Sequence, residues 1–155
     1  MHGQGTGSTL NNLAVRATLH CLTGCAIGEI VGLVLGQALG LPSLQTFVLA
    51  IFLAFVFGYG LSLSTVIRGG LAWRKAVPLV LASDTLSIAT MEITDNAVMA
   101  VAPGAMDAGL GNAIFWLAMA ISLVLAFCAA LPVNRYLLQR GKGHALIHQH
   151  MDHHH

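Results

Sequence analysis

Hydrophobic positions along this chain fall into four long stretches, parted by short clusters of Gly, Pro and charge. The stretches run from about Leu13 to Gly40, Leu44 to Ile67, Ala76 to Ala102 and Asn112 to Tyr136. Each exceeds the roughly 20 residues that cross about 30 Å of hydrocarbon. Leu41-Pro42-Ser43, Arg68-Gly69-Gly70 and Pro103-Gly104 supply the stop signals between them. The pattern predicts an all-α polytopic membrane protein, with four transmembrane helices in an antiparallel bundle. Residues 1–12 are polar and Gly-rich and are expected to be flexible. Residues 13–136 form the transmembrane domain and 137–155 a His-rich tail. The first stretch is too long for a cleavable signal peptide, and it carries an acid at its centre.

Composition sharpens this picture. Of 155 residues, 56% are hydrophobic and only 8% charged, against about 25% charged in an ordinary soluble domain. The mean hydropathy is +0.77. These values exclude a soluble globular enzyme, a disordered chain and a nucleic-acid binder of the basic-patch kind. Three cysteines leave one over in any disulfide scheme. The basic residues then set the orientation. Arg16 precedes the first span, Arg68, Arg74 and Lys75 lie between the second and third, and Arg135, Arg140 and Lys142 follow the fourth. The other two connections contain no Lys or Arg. Both termini are therefore expected in the cytoplasm.

Acids interrupt the apolar spans. Glu29 lies in the first, and Asp84, Glu92 and Asp95 lie in the third, with no Lys or Arg at comparable depth. An ionised residue at the bilayer centre costs roughly 2.5–3.5 kcal/mol, so four uncompensated carboxylates would cost on the order of 10 kcal/mol. Either protons or a cation from outside the chain must neutralise them. Counting from the basic residues places Asp84 about 13 Å deep, Glu29 about 20 Å, Glu92 about 25 Å and Asp95 about 30 Å. Asp84, Glu92 and Asp95, with Glu29 and neighbouring Asn96, are candidates for a proton relay or polar network.

Cys21, Cys25 and Glu29 recur every four residues and stack on one helical face. Gly24, Gly28, Gly32, Gly36 and Gly40 form a second ridge at the same spacing, a surface for close helix packing within the bundle or between two copies. His20 adjoins Cys21, and Cys128 lies at a similar depth on the fourth span. Soft thiolates select Cu(I), zinc or iron–sulfur centres. The candidate metal ligands are thus His20, Cys21, Cys25, Cys128, Glu29, Asp84 and Glu92, with copper favoured over zinc or iron. Met91, Met99, Met106 and Met119 offer thioether donors. His144, His148 and His150 make the tail a compositional metal-capture signal. The last three histidines suit a purification tag equally well. His20 is the one imidazole within the spans, so a bis-His haem would need two copies of the chain.

His20-Cys21-Leu22-Thr23-Gly24-Cys25-Ala26-Ile27-Gly28-Glu29 resembles the opening motif of the domain of unknown function 4396 family of small bacterial membrane proteins. Phe57-Gly58-Tyr59, Asp84-Thr85-Leu86-Ser87-Ile88, Met91-Glu92-Ile93, Asp95-Asn96-Ala97, Pro103-Gly104-Ala105-Met106-Asp107, Pro132-Val133-Asn134-Arg135 and Arg140-Gly141-Lys142-Gly143-His144 are similar to it too. The likeness spans about Ala17 to His144. It implies a four-span bundle in a bacterial inner membrane and no particular activity.

Three functions fit these residues. The leading expectation is a membrane protein that binds or passes a soft transition-metal ion at a Cys/His/carboxylate site. The second is a proton-coupled small transporter or channel subunit using the intramembrane acids. The third is a structural subunit of a membrane complex that packs through the glycine ridge. No nucleophile–base arrangement and no phosphate-cradling loop points to an enzyme. The expected partners are the lipid bilayer and either a second copy or a membrane-complex subunit.

Overall fold

A computed structural model describes residues 3–105 and 107–140, residues 3–6 as backbone only. Four helices account for almost all of it: α1 (Gly3–Ala38), α2 (Ser43–Arg68), α3 (Trp73–Val101) and α4 (Ala113–Gln139). All four are long and apolar enough to cross a membrane. The shortest, at 26 residues, is about 39 Å long at 1.5 Å per residue.

The helices end where the sequence predicts, and for the expected reasons. At the end of α1, Gly40 has φ +64. Its N–H donates to Gln37 O at 3.1 Å, and Leu41 N–H donates to Gly36 O at 2.9 Å. Gly70, with φ +96, repeats that closure after α2, with bonds to Ile67 O and from Leu71 to Val66 O. Both are Schellman motifs, which consume the last orphan carbonyls of a helix. Asn112 caps α4 through its Oδ1, which accepts from Ile114 N–H at 3.0 Å. The start of α1 differs from expectation. Its helix reaches back to Gly3 across the segment predicted to be flexible. Once a spanning helix exists, each residue added to its end gains a hydrogen bond without a nucleation cost, so even Gly and Asn are carried along.

The glycine ridge sets the tightest interface. A Cβ on Gly24 would meet Gly58, on Gly28 Leu53 and Ala54, on Gly32 Ala50, and on Gly36 Thr46. The α1 number rises by four each time the α2 number falls by four, which is an antiparallel register in which backbones touch. The ridge is therefore filled by α2 of the same chain and is not open to a second copy. Gly40 is no part of it: α1 ends at Ala38, and nothing lies within 4 Å of where a Gly40 Cβ would be.

The remaining helices close a four-membered ring. α3 packs on α4, α1 on α4 and α2 on α3, while α1 and α3 touch across the centre. Polar pairs, one buried and one exposed, pin two of these seams. Asn134 of α4 donates to Thr18 Oγ1 of α1 at 2.9 Å. The hydroxyls of Tyr59 on α2 and Thr85 on α3 lie 2.6 Å apart. The up-down topology gathers Arg16, Arg68, Arg74, Lys75, Arg135 and Arg140 at the end of the bundle where α1 begins and α4 ends.

Candidate functional site

α1 and α3 run parallel across the bundle centre. Glu29 meets Asp95, and Cys21 meets Ser87. The offset is 66 residues in both cases, so Cys25 stands opposite Met91. One interior column results.

At the end nearer the termini, the Asp84 carboxyl accepts from Ser83 Oγ at 2.8 Å and faces Ser62 of α2. Its Oδ2 is buried without a hydrogen-bond partner. His20 lies within electrostatic reach of Asp84, and its Nε2 is 3.0 Å from Thr65 Oγ1. Cys21 sits against Asp84, Ser62 and Ser87. The Ser87 hydroxyl is fully buried and unpartnered. Cys25 links the two ends of the column, with Cys21 and Asp84 on one side and Glu29 and Glu92 on the other.

At the far end lie three buried acids. Glu29 is 7% exposed, Glu92 5% and Asp95 2%. The Glu29 and Asp95 carboxyls lie beside each other, and Glu92 is within electrostatic reach of both. The Ser122 hydroxyl of α4 bonds to Asp95 Oδ1. Asp95 Oδ2 is buried without a hydrogen-bond partner. Asn96 Nδ2 donates to the Glu92 carbonyl at 2.7 Å and lies 3.4 Å from Glu92 Oε2. Two ionised carboxylates are acceptors only. Side by side in an apolar interior, two carboxyls carry less buried charge when one of them is protonated.

The column brings together Cys21, Cys25, Glu29, Asp84, Glu92, Asp95 and Asn96, with His20 half-buried at its margin. The thiol face and the acidic face meet, as a shared site requires. Cys128 does not join them. Its depth is as predicted, but it is exposed on the outer side of α4. α4 buries Ala126, Ala130 and Asn134 at a spacing of four, and a residue two positions from Ala126 points about 200° away. Met91 is buried in one cluster with Cys21 and Cys25, whereas Met99 and Met119 pack in another with Phe115. Met106, His144, His148 and His150 lie outside the described residues. Among the described residues, no three of His, Cys, Asp and Glu converge to hold a metal ion.

Glu29 also sits deeper than the residue count placed it. Counting from Arg16 and Lys75 assumed equal heights for the two. The offset of 66 sets Arg16 level with Ala82, about 10 Å further in than Lys75. A long Arg stem spans such a difference while keeping its charge in water. Two contributors were not singled out from the sequence: Ser62 in α2 and Ser122 in α4. The signal for Ser122 was a lone hydroxyl in an apolar run, whereas Ser62 opens a short hydroxyl cluster with Ser64 and Thr65.

A family described as Domain of unknown function (DUF4396) matches residues 11–143. The chain belongs to this family. The DUF4396 match takes in every residue of the column. No curated protein and no solved structure matches the chain.

Proposed function

We propose that this DUF4396 chain is a proton-handling subunit of membrane transport, in which the carboxyl column binds and exchanges protons. The observation that carries the reading is the contact between Glu29 and Asp95, with Glu92 beside it, inside four apolar helices. A shared proton lowers the charge buried there. It also leaves the pair able to release or accept a proton at small structural cost. Asp84, His20 and the serines near it extend the polar path toward the termini. Four spans enclose little room for a solute, so coupling to one calls for a second copy or a partner subunit. The gathering of basic residues at one end supports cytoplasmic termini in a bacterial inner membrane.

The test uses sealed vesicles containing the purified chain and an enclosed pH-sensitive dye. An imposed potassium gradient with valinomycin should drive proton entry well above that in empty vesicles. Glu29→Gln with Asp95→Asn should abolish the excess. Proton entry unchanged by both substitutions would refute the reading.

A second reading has one specific support. Cys21, Cys25 and Met91 share a buried cluster, and two thiols with a thioether suit a soft ion such as Cu(I). Metal content of protein purified without oxygen, compared with Cys21→Ser/Cys25→Ser, decides it. Equal metal in the two samples would remove this reading.

A further inference from the structure

Among the described residues, the basic end of the bundle has no acids to balance it. Arg16, Arg68, Arg74, Lys75, Arg135 and Arg140 gather there, whereas the acids of the described residues lie in the interior column or, for Asp107, in the connection at the opposite end. No described Arg or Lys comes within ion-pair distance of a carboxylate. Arg140 stacks over the Tyr136 ring, 5.2 Å from its centre. Arg135 instead borders a half-open cleft of about 190 Å³ between α1 and α4. The rest of that cleft is lined by Asn11, Ala14, Val15, Leu131 and Pro132. One cation and one amide thus sit at the edge of an apolar furrow, on the outer surface of a spanning bundle.

This combination selects an amphipathic anion: a phosphate at the basic edge and hydrocarbon along the furrow. Basic pockets between transmembrane helices recognise lipid head groups by these means. We propose that the α1/α4 cleft holds an anionic phospholipid of the phosphatidylglycerol type. Its phosphate lies against the Arg135 guanidinium with Asn11 beside it, and an acyl chain follows Ala14, Val15, Leu131 and Pro132. A zwitterionic lipid has the same chains and phosphate, but its ammonium cancels the attraction to a cation that has no counter-acid. The site is separate from the carboxyl column and does not depend on how the column works.

Native mass spectrometry of the full chain in detergent tests this, with phosphatidylglycerol and phosphatidylcholine supplied at equal concentration. Wild type should retain one phosphatidylglycerol in preference to phosphatidylcholine. Arg135→Gln should weaken that adduct about fivefold, the value of one surface cation near an anionic lipid. Arg68→Gln, at the α2–α3 connection, should leave it unchanged. Leu131→Trp fills the furrow without altering charge and should also lose the adduct. Inorganic phosphate in excess should not displace the lipid. Equal loss in Arg68→Gln and Arg135→Gln, equal retention of both lipids, or displacement by phosphate would each overturn the proposal.

Discussion

Gly28→Ala isolates the glycine ridge in one methyl group. The added Cβ would lie 2.6 Å from Ala54 Cα and closer still to the Leu53 carbonyl. Ordinary contact begins near 3.4 Å and the Leu53 carbonyl carbon would lie at 2.5 Å, so the backbones of α1 and α2 must part by at least about 0.9 Å. Both obstacles are main-chain atoms and cannot rotate away. Overpacking of this kind costs about 1–3 kcal/mol. A gap of 0.5–1 Å opened along the neighbouring contacts also forfeits roughly a quarter to a half of their dispersion energy. Against this, Ala gains about 1 kcal/mol of helix propensity over Gly. The net expectation is a loss of about 2 kcal/mol. Gly60→Ala is the control, because nothing lies within 4 Å of its added Cβ and it sits within α2. It gains the propensity and meets no obstacle, so it should be neutral or stabilising by up to about 1 kcal/mol. Reversible unfolding by detergent titration, followed by circular dichroism, measures both. Equal stabilities for the two variants would refute the backbone-contact account of the ridge.

Further outcomes follow from other contacts. Thr18→Val removes the acceptor from the buried Asn134 amide and should cost about 1–3 kcal/mol; pairing it with Asn134→Leu should recover much of that in the same titration. Asn112→Ala deletes the α4 cap and should cost about 1 kcal/mol. A membrane-permeant thiol reagent should modify Cys128 well before the buried Cys21 and Cys25; mass mapping that finds the buried pair modified first would contradict the placement of α4.

Most of the fold could be read from the sequence because the bilayer imposes it. Span length, turn glycines and one-sided basic residues each answer to a single physical constraint, and Gly40, Gly70 and Asn112 act as such signals predict. The glycine spacing predicted a close contact but left open whether its partner lay in the same chain, since small residues serve both equally. The convergence of Glu29 with the acids of α3 was legible only as a need: four buried carboxyls require company. Which of them pair depends on the relative heights of α1 and α3. Arg16 and Lys75 gave those heights poorly, because both side chains are long. Cys128 lies apart from the column for a related reason. Depth follows from counting along one helix, but the facing side follows from its neighbours, and the uniformly apolar α4 carries almost no polar marker of its inner face. Ser122 and Asn134 were the two markers, and their side chains bond to Asp95 and Thr18.

A proton shared between Glu29 and Asp95 is what the proposed function requires. Infrared difference spectroscopy of the full chain in lipid, recorded across a pH titration, observes it directly through the carbonyl stretch of a protonated carboxyl. Such a band is expected at neutral pH, altered by Glu29→Gln and by Asp95→Asn, and insensitive to Cys128→Ser. Fully ionised Glu29 and Asp95, with no protonated-carboxyl band that either substitution changes, would contradict it.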